Sequence, residues 1–512
     1  MKKLVQGLLT RTFFVAVLAL LQVGLIVGLV VWLGARSSWV YLALIIVSVL
    51  IVLAMLDRDD INPSYRLMWI AIIVFLPPTG TLFYLFWGQR SVNCAAARRY
   101  KASAARGAEA LGQDPALIRA LGVRQGKLVR CASYLSRHAA APLYADTLCE
   151  YYPLGEAFLP PLLKELGRAR RFIFMEYFII EGGYMWDAIL ELLKAKAAAG
   201  LDVRVLYDAF GSMFTLPEDY ANTLRAAGIK CVAFSPVRLS RHVGDYVMLN
   251  HRDHRKITVI DGNVAFTGGL NLADEYINRK KRFGVWKDTG LMLRGSGVYS
   301  MTVGFLTMWD YLTGSESDFA ACAPTLRYAS DGFVQPYFDS PLDTERVAEN
   351  VYLNVLQQAQ RYVYIVTPYL IVDNEMLTAL RLAARGGVDV RLITPGVPDK
   401  WYAYWVTQSY YKTLLEAGVR IFQYTPGFIH AKMYVSDDEV AVVGSANMDY
   451  RSLYLHFENC CAFYGGHMVR DVKADLLAAM ESGREVSLAD VAHTPLPKQL
   501  VQSFLRIFSP LM

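Results

Sequence analysis

One spaced pattern occurs twice in this chain. His254, Lys256 and Asp261 spell His-x-Lys-x4-Asp, and His430, Lys432 and Asp437 repeat it. At the same offset each copy is followed by a glycine-small-x-asparagine quartet, Gly268-Gly269-Leu270-Asn271 and Gly444-Ser445-Ala446-Asn447. With eight histidines, and lysine and aspartate each at roughly 6% of positions, about 0.03 such His-Lys-Asp matches are expected by chance. A duplication of this kind requires two related units, each setting the same residues on the same local structure.

The surrounding sequence can also be read twice. Phe172 to Ile180 is a strand-like apolar run, Met185 to Ala199 has helical period, and Gly200-Leu201-Asp202-Val203-Arg204 begins a further strand. Tyr362 to Ile371, a helical stretch through Ala384, and Gly387-Val388-Asp389-Val390-Arg391 repeat that order. A helix end recurs at Ala227-Gly228-Ile229-Lys230 and Ala417-Gly418-Val419-Arg420. The pattern predicts two βαβ halves of an α/β fold. In a strand, residues two apart share a face, so His254 points with Lys256 and His430 with Lys432. Asp261-Gly262 and Ser436-Asp437-Asp438 are turn formers, and the strands after them run on toward Asn271 and Asn447. Histidine, lysine and asparagine of each half therefore meet at one rim. From Gly228 to His254 is 26 residues against 12 from Gly418 to His430. The excess, with Arg238, Arg241, His242 and Tyr246, is either a headgroup-binding insert or a plain surface loop.

Two histidines and two lysines suit phosphodiester chemistry. A covalent route needs a neutral nucleophile, a proton donor for the departing alkoxide and donors for the nonbridging oxygens. One imidazole can attack phosphorus while the other protonates the leaving oxygen, with no metal or other cofactor. Their protonation states must then differ, which calls for a carboxylate to orient and bias each ring. The seven cysteines show no metal-ligand spacing and suit a reducing compartment. A phosphate-cradling loop with glycine and Lys-Ser or Lys-Thr is absent from the sequence, so no nucleotide is implied. His251 and His254 stand three apart like a metal pair, but no further ligand pattern joins them, and His251 reads as structural or pocket-lining.

The doubled pattern resembles the phospholipase D superfamily. Asn271-Leu272-Ala273-Asp274-Glu275-Tyr276, Trp286-Lys287-Asp288-Thr289 and Asn447-Met448-Asp449-Tyr450-Arg451-Ser452 resemble its bacterial cardiolipin synthase branch. That resemblance implies halves facing across a pseudo-twofold axis to make one site, with His254 as nucleophile and His430 as acid and base. It implies that Asp288 and Glu458 each accept the Nδ1 proton of a motif histidine from the opposite half. Lys256, Lys432, Asn271 and Asn447 would surround the phosphate oxygens, and Asp261 and Asp437 complete the catalytic motifs chiefly as scaffolding for the turns. The implied reaction moves a phosphatidyl group from one phosphatidylglycerol to another, giving cardiolipin and glycerol. Attack by water instead would make a hydrolase, and another alcohol a different phosphatidyltransferase. A membrane-tethered nuclease would show a long basic track with stacking aromatics, and no nucleic-acid partner is expected. His456 departs from the branch, which usually has asparagine there, and implies a tuned pocket.

Hydrophobic residues make up 54% of the chain, and the apolar excess lies before residue 90. Residues 12–35 and 37–56 are uncharged, and each is long enough as a helix to cross about 30 Å of hydrocarbon. The first outruns a signal-peptide core, and a second span follows it directly. A third apolar segment, 67–89, is broken at Pro77-Pro78-Thr79-Gly80 and reads as a kinked span or a re-entrant hairpin. Lys2, Lys3 and Arg11 precede the first span, and Arg90, Arg98, Arg99, Lys101 and Arg106 follow the third segment. Two spans plus a hairpin put both clusters on the cytosolic face of a bacterial inner membrane. The net charge is only +6, yet Arg90 to Arg137 holds ten Lys or Arg against Glu109 and Asp114. That collar either attracts anionic lipid or is an ordinary solvated helix pair. The expected division is a membrane region 1–90, a basic helical linker 91–150, a first half 151–340 with motif 254–271, and a second half 341–512 with motif 430–447. The second half ends in an amphipathic tail of Leu500, Val501, Phe504, Leu505, Ile507, Phe508 and Leu511, suited to a membrane interface or to packing on the core. Oligomeric state has no signature in the sequence.

Overall fold

The computed structural model describes residues 38–57, 62–76, 78–88, 95–235 and 251–512, with single positions between 24 and 32. Most of the span expected at 12–35 and the insert residues Arg238, Arg241, His242 and Tyr246 lie outside the described residues. The chain divides into two compact units, residues 1–91 with 240–247, and residues 92–239 with 248–512.

In the first unit the segment expected to span at 37–56 is the helix Ser38–Leu56, 19 residues with no charged side chain. At 1.5 Å per residue it runs about 28 Å. No helix of the described residues is long and apolar enough to cross a membrane. The third apolar segment folds back on itself. A helix over Pro63–Phe75 stops at the proline pair, and a short helix, Thr79–Phe83, continues into a π turn at Tyr84–Gly88. The Tyr65 hydroxyl donates to the Gly88 carbonyl at 3.1 Å, and the Trp69 and Tyr84 rings lie 5.6 Å apart.

In the second unit the strands are β1 (Thr147–Tyr152), β2 (Phe172–Tyr177), β3 (Asp202–Asp208), β4 (Lys230–Phe234), β5 (Arg252–Asp253), β6 (Lys256–Ile260), β7 (Val264–Gly268), β8 (Val285–Lys287) and β9 (Gly290–Gly295). There follow β10 (Phe333–Asp339), β11 (Tyr362–Val366), β12 (Leu370–Ile371), β13 (Asp389–Pro395), β14 (Arg420–Tyr424) and β15 (Gly427–Ile429). The last are β16 (Met433–Ser436), β17 (Val440–Gly444), β18 (Met448–Asp449), β19 (His456–Tyr464) and β20 (Gly483–Val486). One sheet has the order β1-β9-β7-β6-β2-β3-β4 and the other β10-β19-β17-β16-β11-β13-β14, extended by β20. All seven positions correspond, with β2-β3-β4 and β11-β13-β14 parallel and the motif hairpins β6-β7 and β16-β17 antiparallel. The α/β class and the two related halves are thus present in the topology itself.

Three apolar layers hold the sheets. On β2, Ile173 and Met175 pack outward under Met185, Ile189 and Leu193 of the helix Tyr184–Ala198. The opposite face of each sheet lines a core common to both halves, where Phe174, Val259 and Leu293 join Val366, Val435 and Phe463 around the helices Val298–Thr313 and Gly466–Glu481. Full burial of such a side chain stabilises by about 1.5–3 kcal/mol, so this middle layer binds the halves into one body. Residues 95–150 of the expected linker 91–150 are built into that body. Ser103 donates to the Thr307 carbonyl at 2.8 Å and Arg106 pairs with Asp310 at 2.9 Å, while Leu121, Leu128 and Leu135 enter the second half's outer core. Basic residues of the collar therefore have structural partners on the protein.

Candidate active site

Two short strands carry each motif histidine to the other half. β5 pairs in parallel with the start of β19, and β15 pairs in parallel with β8. The ladder continues through the histidines, since His254 N–H donates to the Phe457 carbonyl at 3.0 Å and His430 N–H to the Lys287 carbonyl at 2.7 Å. The next residue on each partner strand is an acid. His254 Nδ1 lies 2.9 Å from Glu458 Oε1, and His430 Nδ1 lies 2.6 Å from Asp288 Oδ2. Each histidine is thus aimed by backbone and carboxylate of the opposite half, and both carboxylates are fully buried.

The glycine-small pairs make room for this. A Cβ at Gly269 would sit 2.1 Å from Asp288 Oδ1, and one at Gly444 would sit 2.4 Å from Cys460 Sγ. In the second half Ser445 takes the place of Gly269. Its hydroxyl donates to Glu458 and accepts the Asn459 N–H at 2.9 Å. Asn459 in turn accepts the Lys256 N–H at 3.1 Å and donates to the Thr267 hydroxyl at 2.7 Å, joining β19 to the first motif strand.

Lys256 and Lys432 share the faces of their histidines, and each ammonium donates to the carbonyl of its own motif histidine. Lys432 Nζ also lies 2.8 Å from His430 Nδ1. Asn271 and Asn447 are buried at the ends of the same hairpins: Asn271 accepts the Ile179 N–H at 3.0 Å and donates to the Tyr276 hydroxyl at 2.8 Å, and Asn447 donates to Asp449 at 2.9 Å. The structure brings together the two histidines, the two lysines, Asp288 and Glu458, while Asn271 is linked to His430 through Tyr276, whose ring lies 5.7 Å from the imidazole.

Asp261 and Asp437 stand apart from them. Each follows its motif lysine by five residues, about 16 Å along an extended strand, at a turn where φ is +56° and +57°. Asp261 accepts three backbone N–H bonds, from Arg170, Arg171 and Phe172 at 2.7–3.0 Å. Asp437 accepts those of Gln360, Arg361 and Tyr362 at 2.8–3.0 Å, and pairs with Lys127 at 2.7 Å. Each clamps the start of the neighbouring strand to its motif turn.

Burial dominates the electrostatics. It pushes His254 well below the usual imidazole value, with Lys256, Lys432 and His430 adding to the effect. His430 is lowered to about 4 by burial and by Lys432, against the pull of Asp288. Lys256 and Lys432 fall to about 7 and about 8, again chiefly by burial. The two histidine-carboxylate contacts are accordingly hydrogen bonds from neutral rings. Both lysines depress both histidines, and Lys432 depresses Lys256, so a bound phosphodiester anion favours the protonated form of these groups.

Aromatic rings complete the walls. Phe178 lies 5.0 Å from His254, and Tyr276 and Trp286 lie 5.7 and 5.6 Å from His430. His456 occupies the position that corresponds to Trp286, 5.4 Å from His254. Sequence reasoning assigned no role to Ser445, Asn459 or Phe178. The repeat of acid-polar pairs, Asp288-Thr289 and Glu458-Asn459, was the available signal for Asn459.

Comparison with known proteins agrees with this geometry. A family model described as "Cardiolipin synthase, PLD-like domain" matches residues 162–287 and 352–480, and one described as "Phospholipase_D-nuclease N-terminal" matches residues 42–89. A cardiolipin synthase of Geobacillus kaustophilus is 34% identical over 91% of this chain and 92% of its own length. The chain belongs to the cardiolipin synthase family of the phospholipase D superfamily. It is a phosphatidyltransferase of that family. A Streptococcus mutans protein described as uncharacterized is 42% identical over 87% of this chain and 96% of its own. Among solved structures, a phosphatidylserine synthase of Haemophilus influenzae superposes with a TM-score of 0.58, covering 75% of this chain and 99% of that one at 14% identity, a likeness of fold. Both segments of the synthase model contain one of the two matched hairpin regions or its partner acid, and Asp288 follows directly on the first.

Proposed function

We propose that the protein transfers a phosphatidyl group from one phosphatidylglycerol to the terminal hydroxyl of another, through a phosphohistidine on His254, giving cardiolipin and glycerol. The observation that carries this reading is the reciprocal pair of buried imidazoles, each donating Nδ1–H to a carboxylate of the other half. His254, neutral and with Nδ1–H held by Glu458, has its Nε2 lone pair free to attack phosphorus. As the phosphorus-oxygen bond breaks, the glycerol oxygen takes a proton from His430, whose protonated form Asp288 and the bound anion favour. Neutral His430 then removes the proton of the second phosphatidylglycerol hydroxyl. That oxygen attacks phosphorus and the phosphorus-nitrogen bond breaks, restoring His254. Lys256 and Lys432 stabilise charge on the nonbridging oxygens, a contribution of about 3–4 kcal/mol for one such donor, and Asn271 and Asn447 line the same pocket. Imidazoles carry both the phosphoryl group and the proton, so this scheme asks for no cofactor.

A lipid substrate places the enzyme at a bilayer. In this reading the apolar segments 12–35 and 37–56 anchor the chain in a bacterial inner membrane, and 67–89, folded back between Tyr65 and Gly88, is a re-entrant hairpin. Residues 151–340 and 341–512 form the two halves around one cytosolic, pseudo-twofold site. Anionic lipid, with no nucleic acid, is the expected partner. Incubating the detergent-solubilised protein and His254→Ala with phosphatidylglycerol alone, with products resolved by mass spectrometry, tests the reading. Cardiolipin and glycerol from the intact protein only support it. Phosphatidic acid alone makes the enzyme a hydrolase, and cardiolipin from His254→Ala removes His254 from the chemistry.

A further inference from the structure

His456 puts a third imidazole where the other half has tryptophan. It lies two residues before Glu458, as Trp286 lies two before Asp288. His456 is 8% exposed, and its Nδ1 has no hydrogen-bond partner. That nitrogen is 3.6 Å from Glu458 Oε1, and His254 Nδ1 is 2.9 Å from the same oxygen. One nitrogen from each ring and one Glu458 oxygen all lie within 4.8 Å of one another. Arg451, the cation nearest on the far side of the ring, has Nε 3.3 Å from His456 Nε2, leaving Nδ1 as the nitrogen available to a ligand. Two imidazoles and a carboxylate are a donor set for zinc and the neighbouring first-row ions. They are poorly suited to magnesium or calcium, which take oxygen ligands.

We propose that His254, His456 and Glu458 form a transition-metal site, zinc foremost, whose occupation switches the enzyme off. The ion takes the lone pair of His254 Nδ1, so the proton held there moves to Nε2 of the same ring, with no net proton released. Nε2 then carries hydrogen in place of the lone pair and does not attack phosphorus. Trp286 offers His430 no equivalent ligand, so the site takes one ion per chain. Inhibition rests on His254 being the attacking imidazole, whereas metal binding does not.

Cobalt(II) is the probe. Titrated into the chelator-treated, detergent-solubilised full chain, it binds one equivalent with the visible absorption of a low-coordinate nitrogen and oxygen site. His456→Asn and His456→Gln, each checked by circular dichroism, weaken that binding at least about 10–100-fold. With zinc, turnover of phosphatidylglycerol falls and EDTA restores it. The zinc concentration for half-inhibition rises about 10-fold or more in either variant, relative to its own zinc-free rate. Equal cobalt affinity in the native chain and both variants, or no stoichiometric binding to the native chain, overturns the site. Stoichiometric binding through His456 that leaves turnover intact overturns the inhibition and the assignment of His254 with it. A zinc-free protein that makes no cardiolipin refutes the functional reading and leaves the metal site standing.

Discussion

Glu458 answers to three side chains at once: His254, the Ser445 hydroxyl and, more distantly, His456. Asp288 serves His430 and the N–H of its own neighbour Thr289, at 2.8 Å. Glutamine at 458 can still accept from Nδ1–H, but it carries no charge to stabilise the positive ring that forms as phosphorus is attacked. Glu458→Gln is therefore expected to lower kcat by about 10²–10⁴-fold, read as single-turnover glycerol release, with the fold intact by circular dichroism. The depressed histidine also sets a pH dependence of stability. His430 titrates at about 4 in the folded protein against about 6.5 when unfolded. Between those values the unfolded chain binds a proton that the folded chain does not. This contribution is complete above about pH 6.5 and is lost as pH falls toward 4. Urea midpoints measured from pH 7 to pH 4 should fall, and His430→Asn should flatten that slope. Its histidines and lysines made the site legible in the sequence because their spacing is local. Ser445 and Asn459 escaped because their roles arise from side-chain contacts that no period encodes.

The motif turns show what an element costs when its clamp is removed. Asp261 and Asp437 each gather three backbone N–H groups and hold a left-handed turn, far from the reacting atoms. Hydrogen bonds to a charged group contribute about 1.5–3 kcal/mol each in the mean and do not add fully. Asp437→Ala is expected to cost about 2–4 kcal/mol of stability in urea unfolding, while the folded fraction keeps a kcat within a few-fold of the native chain. A loss of kcat comparable to that of His254→Ala, at full stability, would restore Asp437 to the chemistry. Strands and helices with strong period were legible: the run from Phe172 ends at Tyr177, and the helix expected from Met185 begins at Tyr184. The run from Tyr362 breaks after Val366, where Pro368 interrupts the ladder and β12 takes up a different partner. β5 and β8 were not legible at all. At two and three residues they have no period to read, yet β5 leads His254 onto β19 of the second half, and β8 receives β15, which ends just before His430.

At the scale of the whole molecule, the tail resolves into a helix with two different apolar sides. Leu496–Ile507 packs on the helix Trp401–Ser409, with Lys498 donating to Gln408 at 2.8 Å and Leu505 joining the second half's outer core. Its other side is bare: Leu496, Leu500, Phe504 and Ile507, spaced at helical intervals, are 67%, 64%, 59% and 49% exposed. Trp401, on the helix beneath, is exposed as well. One face of the tail therefore packs on the second half, and the bare face is the one that the membrane-interface reading would use. Under the proposed function a bilayer is the expected occupant, with the bare face at the depth where tryptophan settles. Burying Leu500 and Phe504 in lipid would contribute about 1.5–3 kcal/mol each, of which the proposed anchoring by the N-terminal segments would mask part. Leu500→Asp combined with Phe504→Asp in the full chain is expected to raise KM on phosphatidylglycerol vesicles about 10-fold or more. In detergent-mixed micelles, where substrate reaches the site without a planar interface, KM should stay within about two-fold. An equal loss in both media would place these residues in the packing of the second half, and an unchanged KM on vesicles would remove the tail from the membrane surface.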